Sequence, residues 1–144
     1  MNVEQVISRI FLAALLGGIV GFERELYRHE AGLRTHILVS VGSTLIMLTS
    51  LYVFDIYKMA GVDPTRIAAN VVSGIGFICA GTIIRYGMEI RGLTTAATLW
   101  MTAAVGLAVG CGFYIAAILA TLVAIIALIP LRTFEKKLIT KKEK

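Results

Sequence analysis

Between residues 23 and 36 the chain sets Glu23, Glu25 and Glu30 against Arg24, Arg28 and Arg34, with His29 and His36 among them. Residues of these types could move protons, hold a cation or pair with one another. Equal numbers of acids and bases favour internal pairing. Neither histidine has a companion that would make it catalytic, and no metal-spaced cluster, nucleophile–base pair or phosphate-binding loop occurs elsewhere. No catalytic, cofactor-binding or metal-ligating residues are therefore expected, and the chain does not read as an enzyme. Glu23 and Arg34 stand apart because they fall at helix ends, where an unpaired charge is costly and a defined partner is expected. Arg85, Glu89 and Arg91 make a second charged loop.

Asn70 is the one amide inside an apolar segment, and Ser73, Gly74 and Phe77 share its face at helical spacing. A buried amide in hydrocarbon needs a partner. An interhelical hydrogen bond worth on the order of 1 kcal/mol is the plain reading, and a contact with a ligand or a partner is the sharper one. Gly74, Gly76 and Gly81 crowd the same helix, which would let a backbone approach closely or carbonyls face a cavity. Cys79 and Cys111 are too far apart to bridge and read as small packing residues.

The elements that position these groups follow from charge. Residues 92–131 form a forty-residue run with no Asp, Glu, Lys or Arg, about twice the roughly 20 residues one membrane-crossing helix needs. Two more charge-free runs, 35–54 and 67–84, match one helix each. The forty-residue run divides at Gly110-Cys111-Gly112. A shorter apolar run, 10–22, completes five helices if Arg9 reaches the membrane surface. Glu4 in place of a basic start, and Glu23-Arg24-Glu25 in place of a small-residue cleavage site, favour a retained helix over a signal peptide. The expected fold is an all-α bundle with membrane spans at 6–22, 36–54, 65–84, 94–110 and 113–131, then a basic tail at 132–144. With 58% hydrophobic residues there is no room for a separate soluble domain.

Five spans put eleven Lys and Arg on one side, from Arg24, Arg28, Arg34, Arg85, Arg91 and six tail residues. Arg9, Lys58 and Arg66 lie on the other. Positive charge gathers on the cytoplasmic side, so the carboxyl end is expected inside and the amino end outside. The net charge of +5 sits mostly in the tail, where it suits anionic lipid rather than nucleic acid. Tyr52, Phe54, Tyr57, Phe113 and Tyr114 suit the outer membrane interface, and Trp100 reads as a packing residue. Asp63 with Pro64 should open helix three, and Thr94 or Thr95 should cap helix four.

Bundles in lipid close through small residues. Ala14/Gly18, Gly17/Gly21, Gly106/Gly110 and Ala116/Ala120/Ala124 supply them.

The blocks Gly21-Phe22-Glu23-Arg24-Glu25, Ala31-Gly32-Leu33-Arg34-Thr35-His36, Val71 to Phe77, Ala80 to Ile84 and Arg91 to Ala97 resemble, in order, the MgtC/SapB family of bacterial inner-membrane proteins. The resemblance covers nearly the whole apolar region. It implies a five-helix membrane domain linked to low magnesium, acid tolerance and survival in host cells. It also implies action by binding other membrane proteins, the ATP synthase among them, rather than by carrying magnesium. Longer members continue into a soluble domain, and a function carried by that domain is not expected to transfer to these residues. The positions that the resemblance carries over are Asn70, Cys79, Glu23, Arg24 and Arg34. With Ser73, Gly74, Gly76, Arg85 and Arg91 they form the expected contact set for a partner or ligand. A small-residue face also permits a homodimer. The alternative reading is a small transporter or channel along helix three; against it, all nine acids lie outside the spans, whereas magnesium favours carboxylate oxygens.

Overall fold

The computed structural model describes residues 2–57, 63 and 65–130. Five helices carry the chain: α1 (Val3–Leu26), α2 (Leu33–Tyr57), α3 (Thr65–Thr82), α4 (Leu93–Cys111) and α5 (Tyr114–Leu128). Lys58 and the basic tail at 132–144 lie outside the described residues. Among the described residues α1, α2 and α4 are long and apolar enough to cross a membrane, and α5 is a shorter apolar helix. This is a membrane protein built from helices; α1 and α2 run beyond their charge-free runs at both ends, as charged ends that reach the membrane surface allow, whereas α3 ends at Thr82 and α5 at Leu128, short of the expected 84 and 131.

One element departs from the all-helical expectation. Ile84–Tyr86 (β1) and Glu89–Arg91 (β2) form an antiparallel hairpin between α3 and α4, with Ile84 opposite Arg91. Gly87, at a φ of 59°, turns it.

α4 is the hub, in contact with all four other helices. It is buried along Thr95, Ala96, Thr98, Leu99, Thr102, Ala103, Val105, Gly106, Val109 and Gly110. α1 and α2 close on it and on each other through small residues. A Cβ at Gly17 would lie 2.7 Å from Ser40 Cβ, and one at Gly21 would lie 2.8 Å from Leu33 Cα. At Gly110 it would lie 2.6 Å from Met47 Cβ. The spacing of Gly17 with Gly21, and of Gly106 with Gly110, therefore brings backbones together as small-residue packing requires.

α3 is the outlier. It buries only the row Ala68, Val71, Ile75 and Cys79 against Ala31, Ala96, Leu99 and Ala103. Trp100 is half exposed on the outside of α4 instead of packing inside as expected. Asp63 does open α3: its Oδ1 accepts the Thr65 amide at 2.8 Å and the Thr65 hydroxyl at 2.7 Å. The expected threonine cap of α4 is replaced by Gly92 at a φ of 87°, which frees Thr95 for another task.

At the far end, Arg9 is pinned to the turn between α4 and α5. Its Nη1 donates to the Gly110 carbonyl at 2.8 Å and its Nε to the Tyr114 hydroxyl at 3.0 Å. A cation on the carbonyl end of α4 is also favoured by the helix dipole.

Candidate functional site

Two places gather the polar groups, one inside the bundle and one on its outside. The first lies where the α1–α2 loop meets the start of α4. Arg24, in the last turn of α1, is 3% exposed, and its Nη2 donates to Thr95 Oγ1 at 3.1 Å. The Thr95 hydroxyl donates in turn to Glu30 Oε2 at 3.0 Å. Glu25 Oε2 accepts the Leu33 amide at 3.0 Å and so ties the end of α1 to the first turn of α2. Negative charge near a helix amino end is favoured by the exposed amides there.

Glu23 is also buried, at 4% exposure, with Oε2 3.7 Å from Arg24 Nη1 and neither oxygen hydrogen-bonded. Glu30 is held below the usual carboxylate range, first by hydrogen bonding to its own backbone and then by the Thr95 hydroxyl.

From this mouth a row of buried hydroxyls climbs the contact between α2 and α4. His36, fully buried, meets the Gly32 carbonyl through Nδ1 at 2.9 Å and Thr98 Oγ1 through Nε2 at 3.3 Å. Thr98 donates to Thr95 O and Thr102 to Thr98 O, each at 2.8 Å, and Thr44 donates to Gly106 O at 2.7 Å. Ser40 and Ser43 are buried in the same contact. Hydroxyls bonded back to helix carbonyls leave few polar groups unmet, as an interior surrounded by lipid demands.

The second place is the outward face of α3. Asn70, Ser73, Gly74, Gly76 and Phe77 are exposed, and a Cβ added at Gly74, Gly76 or Gly81 would meet nothing within 4 Å. Beside this face a groove of about 680 Å³ runs between α2 and α3, lined by Leu38, Gly42, Ile46, Ile67, Asn70 and Gly74 among others. Asn70 thus opens onto a groove, whereas the sequence suggested a buried amide. Cys79 points the other way, buried, with its thiol donating to Ala96 O at 3.2 Å, which fits a packing role.

The expected contact set is therefore divided. Glu23 and Arg24 belong to the inner network, Asn70, Ser73, Gly74 and Gly76 to the outer face, and Arg34 is exposed. Arg85 and Arg91 stand on the exposed hairpin, with Arg91 paired to Glu89 at 3.1 Å. Sequence reasoning missed Thr95, Thr98, Thr102, Ser40 and Thr44. The signal was present in Thr95, Thr98 and Thr102, which recur on one helical face in line with Gly106 and Gly110.

Comparison with known proteins places these features in a wider set. The pattern of the MgtC family matches residues 10–137. The chain is 49% identical over 113 residues to the putative magnesium transporter YhiD of Escherichia coli K12, covering 76% of this chain and 53% of that protein. It is 50% identical over 110 residues to the protein MgtC of Brucella abortus, covering 76% and 44%. With the protein MgtC of Salmonella typhimurium the identity is 44% over 126 residues, covering 88% and 52%. The chain spans about half the length of the curated relatives it matches. No solved structure matches it.

Proposed function

Because this chain belongs to the MgtC family, we propose that it is a magnesium-linked regulator in a bacterial inner membrane that acts by docking on another membrane protein through the outward face of α3. The α1–α2 loop, the hairpin and the basic tail face the cytoplasm in this reading, and no catalysis is involved. The observation that carries it is the bare backbone of α3: three glycines with open space beside them, and Asn70 and Phe77 exposed next to a groove. Small residues let a second helix approach closely in lipid, and the Asn70 amide can hydrogen-bond to a protein group that acyl chains cannot supply. The ATP synthase is the first partner to test, on the family resemblance. A second copy of the chain would also bring Asn70 to equal depth on a homodimer axis.

The test is cross-linking and affinity capture of the tagged chain from native membranes, compared with Asn70→Ala and Gly74→Leu. A stoichiometric partner lost in both variants while they still insert supports docking. Equal recovery from all three chains overturns it.

A transport reading is favoured by the buried hydroxyl row along α2 and α4 and by the name magnesium transporter given to the Escherichia coli relative. It moves the path away from α3, whose polar groups face outward. Magnesium flux into proteoliposomes that Thr98→Val abolishes supports it, and flux equal to that of empty vesicles sinks it.

A further inference from the structure

The groove between α2 and α3 is as long as one leaflet of a bilayer is deep. On α2 its lining runs from Thr35 through Leu38 and Gly42 to Ile46, a distance of about 16 Å at the helical rise per residue. On α3 it covers an equal length, between Ile67 and Ile78. Half of a hydrocarbon core of roughly 30 Å is about 15 Å. The groove stops at Ile46, well before α2 ends at Tyr57, so a membrane-crossing helix seated in it would run on past its end. A single acyl chain would not. Gly42 keeps the middle of the groove open, since a Cβ there would meet nothing within 4 Å.

The mouth of the groove offers an unmatched cation. Arg34 stands one turn before Leu38 on the row that continues through Gly42 and Ile46. It is exposed and has no hydrogen-bond or ion-pair partner among the described residues. Ala31, three residues earlier, packs in one cluster with Ile75 and Cys79, which brings this end of α2 to the depth of the last turns of α3. The neighbouring acids are engaged elsewhere: Glu25 holds the Leu33 amide, Glu30 the Thr95 hydroxyl, and Glu89 pairs with Arg91. At the opposite end Arg66 stands near Asp63, whose ionised form it favours, so its charge is already matched. A guanidinium suits a phosphate, which can accept two of its N–H bonds at once.

We propose that the α2–α3 groove holds one acyl chain of an anionic phospholipid from the leaflet at the amino end of α2, with Arg34 on the lipid phosphate. The site does not rest on the docking reading, and the residues that test it lie on α2.

The test is native mass spectrometry of the full chain taken from vesicles of phosphatidylglycerol and phosphatidylcholine in equal amounts, with the same acyl chains. The wild type should retain one phosphatidylglycerol. Arg34→Gln should lower the preference for that lipid about fivefold, the effect of one arginine near an anionic surface. Gly42→Leu should retain neither lipid in the groove, and because its side chain enters open space the chain should still fold. Arg66→Gln should match the wild type. Every variant keeps the basic tail, so equal retention by Gly42→Leu and the wild type would assign the lipid to the tail and overturn the site. Equal retention of both lipids by the wild type, or a preference lost in Arg66→Gln and kept in Arg34→Gln, overturns the role of Arg34. A second protein chain retained in place of lipid, and lost in Gly42→Leu, would assign the groove to a contact between copies and overturn the proposal.

Discussion

Arg24 and Thr95 are 71 positions apart in the chain and 3.1 Å apart in the fold. That bond joins the end of α1 to the first turn of α4, and it keeps a guanidinium beside the buried Glu23 carboxylate. Removing the cation leaves a buried anion without compensation. Arg24→Ala should therefore cost about 3–5 kcal/mol, against about 1–3 kcal/mol for Thr95→Val. Chemical unfolding in detergent micelles would read both. Variants as stable as the wild type would show that the network is dispensable.

Gly21 and Gly74 should respond in opposite ways to the same change. A side chain at Gly21 would run into Leu33 and His36, whereas one at Gly74 meets open space. Gly21→Leu should prevent α1 and α2 from closing and lower the yield of folded protein. Gly74→Leu should leave stability within about 0.5 kcal/mol, as surface changes do, and affect only partner capture. Thermal unfolding of the two purified variants separates them, and equal losses would place α3 in the core.

Glu30 gives the α1–α2 loop a defined pH response. Its carboxyl ionises below the usual range because the charged form accepts hydrogen bonds from its own backbone and from Thr95. A depressed value in the folded chain means that the contribution to stability is present above the unfolded value and is lost as pH falls through the folded one. Amide exchange in residues 27–32 should therefore accelerate on acidification, and Glu30→Gln should remove most of that dependence. Exchange with the same profile in both chains would assign the response to another group.

Cys111 and Cys79 allow a test of orientation. Cys111 is exposed at the last residue of α4, beside the turn to α5, while Cys79 is buried against α4. A maleimide that cannot cross membranes should label Cys111 in intact cells if that turn faces outward, and label neither cysteine if the orientation is reversed. Gel shifts of Cys111→Ser and Cys79→Ser chains identify the labelled site.

The helices could be read from the spacing of charge, because lipid excludes Lys, Arg, Asp and Glu over a length fixed by the bilayer. The packing glycines of α1 and α4 were legible for a similar reason. The inner network was not. Thr95 resembles a helix cap in sequence, and only the left-handed turn at Gly92 removes it from that role. Ser40, Thr44, Thr98 and Thr102 are neutral residues that fit any helix face, and their common burial depends on how α2 meets α4. Asn70 was seen as exceptional, but periodicity alone does not say whether an amide faces a neighbour or the outside. The hairpin was missed because three residues per strand are too few to show an alternating pattern.

α3 precedes its main packing surface in the order of synthesis. α1 and α2 can pair as soon as both have been made, while the row from Ala68 to Cys79 packs mainly on α4, which emerges later. For that interval the row that α4 later covers is open as well as the outward face, and α3 has only α2 beside it. A partner that docks on α3, as proposed, would meet it most easily then, so the order of the helices would set the time at which it is engaged.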